Sequence, residues 1–153
     1  MYKVLLIDDE PWNLIEIQES VDWNALGYVV CGTADNSDLA LRRIHQLHPD
    51  LIISDIRMPG MSGLELIAHL REYKNRARVL FISGYSEFQY AQEAIKLQCD
   101  GYLLKPVDSE ELKEYLNRVS KKLSVKQNSQ PEKQTENLYP SQNRMVKETM
   151  DYI

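Results

Sequence analysis

Five short apolar runs, each bounded by turn-forming residues and separated from the next by a stretch of helical spacing, organise most of the chain. The runs are Val4–Ile7, Tyr28–Cys31, Leu51–Ile53, Val79–Ile82 and Tyr102–Leu104, and each reads as a strand. They are continuous rather than alternating, which predicts strands covered on both faces, as in a parallel sheet wrapped by helices. Strand and helix alternate five times, so the crossovers should be right-handed. The expected fold class is α/β, a doubly wound five-stranded parallel sheet, most simply in the order 2-1-3-4-5.

Helix starts are signalled by groups that can satisfy the unpaired amides of a first turn. Ser62 with Glu65, Ser86 with Gln89, and Asp108 with Glu111 have the spacing of capping boxes and predict the starts of the third, fourth and fifth helices. Pro11 suits the first turn of the first helix. The second should begin near Asn36 or Ser37 and bury Ala40, Leu41, Ile44 and Leu47. In the fifth, Leu112, Tyr115, Leu116, Val119 and Leu123 form a stripe that can pack on a sheet. Residues 1–124 therefore read as one domain. From Val125 to Gln142 the composition turns to Gln, Asn, Ser, Lys, Glu and Pro without periodicity, which reads as a polar linker. Val146, Met150 and Ile153 resume helical spacing, so 143–153 read as the start of a second, truncated domain.

Composition narrows the classes of function. Of 153 residues 43% are apolar and 27% charged, and no apolar run approaches the roughly 20 residues of a membrane helix. The first residues run directly into a strand that ends in acids, without the features of a secretory signal, so a cytoplasmic location is expected and no membrane partner. Cys31 and Cys99 are far apart, match no metal spacing and read as buried reduced thiols. A net charge of -5 argues against duplex binding by this segment. Contact with DNA would have to come from an output domain beyond residue 153.

In a doubly wound sheet, ligands sit beyond the carboxyl ends of the strands. The residues at those ends are Asp8 and Asp9 after the first strand, Asp55 after the third, Ser83 after the fourth and Lys105 after the fifth. Singly, each has an ordinary explanation: acids favour a helix N-terminus, and polar residues end strands and form turns. Together they occupy one rim, which independent caps have no reason to do. Clustered carboxylates repel unless a cation sits among them, and an all-oxygen site suits Mg²⁺, held mainly by Asp8 and Asp9. An aspartate can also attack phosphorus to form an acyl phosphate while a metal neutralises the transferring oxygens, and Asp55 is placed to do so. The Lys105 ammonium and the Ser83 hydroxyl could then each meet a phosphoryl oxygen. The backbone carbonyl of Arg57 could complete the metal shell.

LLIDDE at 5–10, PDLIISDIRMPGMSG at 49–63, VLFISGY at 79–85 and DGYLLKP at 100–106 resemble the receiver domain of bacterial two-component response regulators, over about residues 2–124. The resemblance implies a flavodoxin-like receiver fold and a signalling phospho-acceptor that catalyses only its own phosphotransfer and autodephosphorylation. It implies a cognate sensor histidine kinase as phosphoryl donor. Asp55 would be the phospho-acceptor, and Asp8, Asp9, Asp55 and the Arg57 carbonyl would hold Mg²⁺. Lys105 would contact the phosphoryl group, with Ser83 as switch hydroxyl, Tyr102 as switch aromatic and a cis bond between Lys105 and Pro106. Arg57 and Tyr85 would flank the route of attacking water. VDWNALGY at 21–28 and GYSEFQYAQEAIKL at 84–97 resemble receivers that precede AraC-type DNA-binding domains, and Met145–Ile153 resembles the opening helix of such a domain. That likeness implies transcription control through homodimerisation by the fourth helix, fifth strand and fifth helix.

Three other readings fit less well. A haloacid-dehalogenase-type phosphatase needs a second aspartate where this chain has Arg57. A dinucleotide-binding domain needs a glycine-rich turn that IDDEPW at 7–12 lacks. A module that works without phosphorylation has no use for the full set of acids, hydroxyl and lysine.

Overall fold

The computed structural model describes residues 1–84 and 88–129, without the side chains of Phe88 and of 126–129. Its elements alternate as expected: β1 (Tyr2–Ile7), α1 (Pro11–Ser20), β2 (Tyr28–Ala34), α2 (Ser37–Leu47), β3 (Leu51–Asp55), α3 (Gly63–Glu72), β4 (Arg78–Ser83), α4 (Phe88–Lys96), β5 (Gly101–Leu104) and α5 (Ser109–Ser129). All four strand pairings are parallel and the order is β2-β1-β3-β4-β5. The strand at which sequence and structure differ most is β2, which continues through Gly32 and Thr33 to Ala34. It is an edge strand and half-exposed there, so apolar character does not mark its end.

Side chains alternate across a strand, so each strand serves both faces. On one face Leu5, Ile7, Ile52 and Phe81 pack with Ala40 and Ile44 of α2, Leu66, Ile67 and Leu70 of α3, and Ala94 of α4. The intervening residues Val4, Leu6, Ile53, Leu80 and Ile82 are buried too, as are Leu14 and Ile17 of α1 and Leu112, Leu116 and Val119 of α5. Leu41 and Leu47, expected in the core, are half-buried. Cys31 and Cys99 are free thiols and also half-buried, not enclosed as expected; β2 lies at the sheet edge and Cys99 in the turn before β5, where cover is incomplete.

The caps follow the sequence. Asn36 Oδ1 accepts from Leu39 N at 2.8 Å, and Ser62 and Glu65 form a reciprocal capping box with bonds of 3.1 and 2.9 Å. Asp108 Oδ1 accepts from Glu110 N at 2.9 Å, so the acidic cap serves the amide two residues on. The Ser86–Gln89 box lies outside the described residues, because Ser86 does.

Met1–Ser120 forms one compact unit, and Lys121–Ile153 separates as a second, of which the helical backbone to Ser129 is described. The helix therefore continues into the stretch read as a linker. Proline is absent there until Pro131, and Lys126 and Gln127 are good helix formers that need no apolar stripe. The rest of 125–142, and the segment 143–153 with Met145–Ile153, lie outside the described residues. Among the described residues no helix is long and apolar enough to cross a membrane.

Candidate functional site

The register of the sheet builds the site. Ile7 pairs with Ser54, so Asp8 and Asp55 are the next residues of neighbouring strands. Asp55 pairs with Ile82, and Ser83 with Leu104, which sets Ser83 and Lys105 one step further along the same rim. Carboxylate oxygens of Asp8, Asp9 and Asp55 lie within 4.8 Å of one another. The Lys105 ammonium stands between two of these acids, 2.9 Å from Asp8 Oδ2 and 3.3 Å from Asp55 Oδ2. Asp8 and Asp55 are buried and Asp9 is half-exposed, so the cluster opens to solvent on one side. The Lys105–Pro106 bond is cis.

Asp8 is held by the start of α1. Glu10, at the cap position, contributes no side-chain cap. Asp8 Oδ1 instead accepts from the Glu10 amide at 2.9 Å and from the Asn13 side-chain amide at 3.3 Å. Asp8 Oδ2 is buried, and the Lys105 ammonium at 2.9 Å is its partner among the described residues.

Asp55 is held by its own loop. Its Oδ1 accepts from Ile56 N at 2.8 Å and its carbonyl accepts from Ser54 Oγ at 2.8 Å. Gly63 N then closes the turn on the Ile56 carbonyl at 2.8 Å. A Cβ on Gly63 would stand 2.0 Å from the Asp55 carbonyl oxygen, so glycine is required by the close approach of two backbones. Ser37 Oγ donates to the Met61 carbonyl at 2.7 Å, tying the same loop to α2.

Electrostatics make this cluster uncomfortable by itself. Burial and the neighbouring Asp8 carboxylate push the Asp55 carboxyl up to about 6, against the opposing pull of Lys105. Burial pulls the Lys105 ammonium down, but Asp8 and Asp55 outweigh it and hold it above its ordinary value. One ammonium against three ionised carboxylates leaves two negative charges uncompensated. An oxygen-only donor set with that residual charge fits a hard divalent cation.

All five residues predicted from strand ends thus lie on one rim. Ser83 is fully buried as the last residue of β4. Tyr102 pairs with Phe81 in the sheet and is partly buried against the core. Arg57 is exposed in the loop after Asp55. Tyr85 lies outside the described residues. The sequence reading missed Asn13, Ser54 and Gly63 as supports of the acids. Only the position of Asn13 in the first turn after Asp8 could have pointed to it.

A doubly wound sheet with an acid triad and a lysine at its carboxyl rim defines a class, and comparison identifies it: the chain belongs to the response regulator receiver domain family, which matches residues 4–117. It is 37% identical over 119 residues to the uncharacterized transcriptional regulatory protein YesN of Bacillus subtilis, covering 78% of this chain and 32% of that protein. It is 35% identical over 130 residues to the transcriptional regulatory protein HptR of Staphylococcus aureus, covering 83% and 50%. Among solved structures, the receiver domain of AraT, a response regulator from Geobacillus stearothermophilus, superposes with a TM-score of 0.77 at 41% identity, covering 82% of this chain and 98% of that one. The chain spans about a third to a half of the length of the curated relatives it matches.

Proposed function

We propose that this segment accepts a phosphoryl group on Asp55 from a sensor histidine kinase in a Mg²⁺-dependent reaction, and that the modified form pairs with a second copy to control a DNA-binding output domain. The carrying observation is the close approach of the Asp8, Asp9 and Asp55 carboxylates with Lys105 against two of them. Asp55 Oδ1 accepts from Ile56 N, and Oδ2, which faces the Lys105 ammonium at 3.3 Å, is the attacking oxygen in this reading. A P–O bond forms to Asp55 as the bond from phosphorus to the donor's histidine nitrogen breaks, and the electron pair leaves with that nitrogen. Mg²⁺, when held by Asp8, Asp9, Asp55 and the Arg57 carbonyl, would supply charge neutralisation at the transferring oxygens. Lys105 moves from bridging two carboxylates to meeting a phosphoryl oxygen. Ser83 donates to another oxygen, and Tyr102 turns toward the space this vacates. Arg57, exposed in the loop after Asp55, flanks the approach of water in hydrolysis. The segment acts as a phospho-acceptor in the cytoplasm, not as an enzyme on other substrates.

VDWNALGY and GYSEFQYAQEAIKL support an AraC-type output beyond residue 153, with 125–142 as connection, and relatives described as transcriptional regulators fit that reading. Pairing would use α4, β5 and α5, where Ile95 and Leu104 are exposed. Mass spectrometry after treatment with acetyl phosphate and Mg²⁺ tests the acceptor: Asp55→Ala should take up no label, and labelling equal to the parent chain would refute the assignment. Sedimentation with and without beryllofluoride tests pairing, which Lys96→Glu on α4 should weaken.

A further inference from the structure

The donors to Asp8 separate its two oxygens. Oδ1 is committed to α1, through the Glu10 amide at 2.9 Å and the Asn13 side-chain amide at 3.3 Å. Oδ2 is buried on the cluster side, where it faces the Lys105 ammonium at 2.9 Å. A carboxylate with one donor can swing about it, whereas two donors from different directions fix the plane. The Glu10 amide is part of the backbone and present whatever the sequence. Asn13 is the side-chain donor among the described residues that completes the pair, from the first turn of α1 and half-buried at the edge of the acid cluster.

We propose that Asn13 is a positioning residue for the cation site: its amide holds Asp8 with Oδ2 directed into the cluster, and so sets the affinity of the site for Mg²⁺. Groups that orient a metal ligand without touching the metal are commonly worth a factor of about 10–100 in metal affinity. A single bond of this length belongs at the lower end. The amide is neutral, so it orients Asp8 without cancelling the charge that attracts the cation, as a lysine there would. The inference rests on the Mg²⁺ reading of the site given above.

The test is isothermal titration of the full chain with Mg²⁺, alongside the urea midpoint of the same proteins in EDTA. Asn13→Leu keeps the size of the side chain and removes the donor; Asn13→Ala serves if leucine disturbs the fold. The expected result is Mg²⁺ affinity weaker by about tenfold, with a metal-free urea midpoint close to that of the parent. The opposite pattern, a lowered midpoint with unchanged Mg²⁺ affinity, would assign Asn13 to packing and overturn the proposal. A parent chain that takes up no Mg²⁺ would overturn the metal reading and this inference with it, whereas parent binding matched by both variants overturns the inference alone.

Discussion

Replacing Asp55 by asparagine should make the metal-free protein more stable at alkaline pH, because the native state holds this carboxylate where it resists ionisation. The free side chain titrates near 3.8 and the folded one at about 6. A group whose folded pKa is raised contributes stability fully present below the unfolded value and lost as pH rises through the folded one. The shift of about two units corresponds to roughly 3 kcal/mol at 1.36 kcal/mol per unit. The cluster opens to solvent beside Asp9, so screening trims this figure. Asparagine keeps the Ile56 bond but sets an amide against Lys105, so a net gain of about 2 kcal/mol at about pH 8 is expected. Urea unfolding in EDTA at about pH 8 and about pH 4 measures it, with most of the gain gone at the lower pH. Adding Mg²⁺ should narrow the gap, since a cation bound by the native parent stabilises it by mass action. An asparagine variant no more stable than the parent at the higher pH would refute the reasoning. So would a gain of the same size at both pH values, since it could not come from the charge.

The remaining predictions use other parts of the fold. Gly63→Ala should destabilise the protein by about 1–3 kcal/mol and lower phosphoryl uptake, because its Cβ would enter the Asp55 carbonyl; urea unfolding and acetyl phosphate labelling check both. Tyr28→Phe removes the 2.7 Å bond from the Tyr28 hydroxyl to the Leu116 carbonyl and should cost about 1 kcal/mol near neutral pH. Burial raises the Tyr28 hydroxyl pKa, so the parent should lose stability as pH climbs above the free tyrosine value of about 10, a loss absent from the phenylalanine variant; unfolding against pH reads it. Asp9→Ala removes one oxygen ligand and should weaken Mg²⁺ affinity and Asp55 labelling together, with unchanged affinity in calorimetry counting against it as a ligand.

The fold was legible because its signals are local and redundant. Strands buried on both faces are continuous apolar words, and Asn36, Ser62 and Asp108 announce helices through chemistry confined to one turn. Both fail where tertiary cover changes: β2 runs on through Gly32 at the sheet edge, and α5 runs on to Ser129 after its apolar stripe has ended. The acids and Lys105 were legible because a parallel sheet in this order brings strand ends to one rim, so position in sequence translates into position in space. Their supports were not. That Asn13 reaches back to Asp8, that Ser54 turns onto the Asp55 carbonyl, and that Gly63 has no room for a Cβ depend on the paths of α1 and of the loop after β3. No residue-type spacing encodes those paths.

The supports of the site and the contacts of Lys105 differ in kind, and the difference suits the reaction proposed above. Four bonds that fix the path around Asp55 are uncharged at their donors: Ile56 N, Ser54 Oγ, Gly63 N and Ser37 Oγ. Such bonds change little when the carboxylate becomes an acyl phosphate or when a cation arrives. The contacts of Lys105 with Asp8 and Asp55 are ionic, and their strength depends directly on the charge that the proposed phosphorylation would alter. A loop held by lysines or arginines would slacken or tighten with each change of state and carry Asp55 with it. Neutral bonds instead keep Asp55 in register, and the Lys105 ammonium is placed to respond. Lys105 N is bonded to the Ser83 carbonyl at 2.8 Å, so a response of Lys105 reaches the end of β4 through one backbone link.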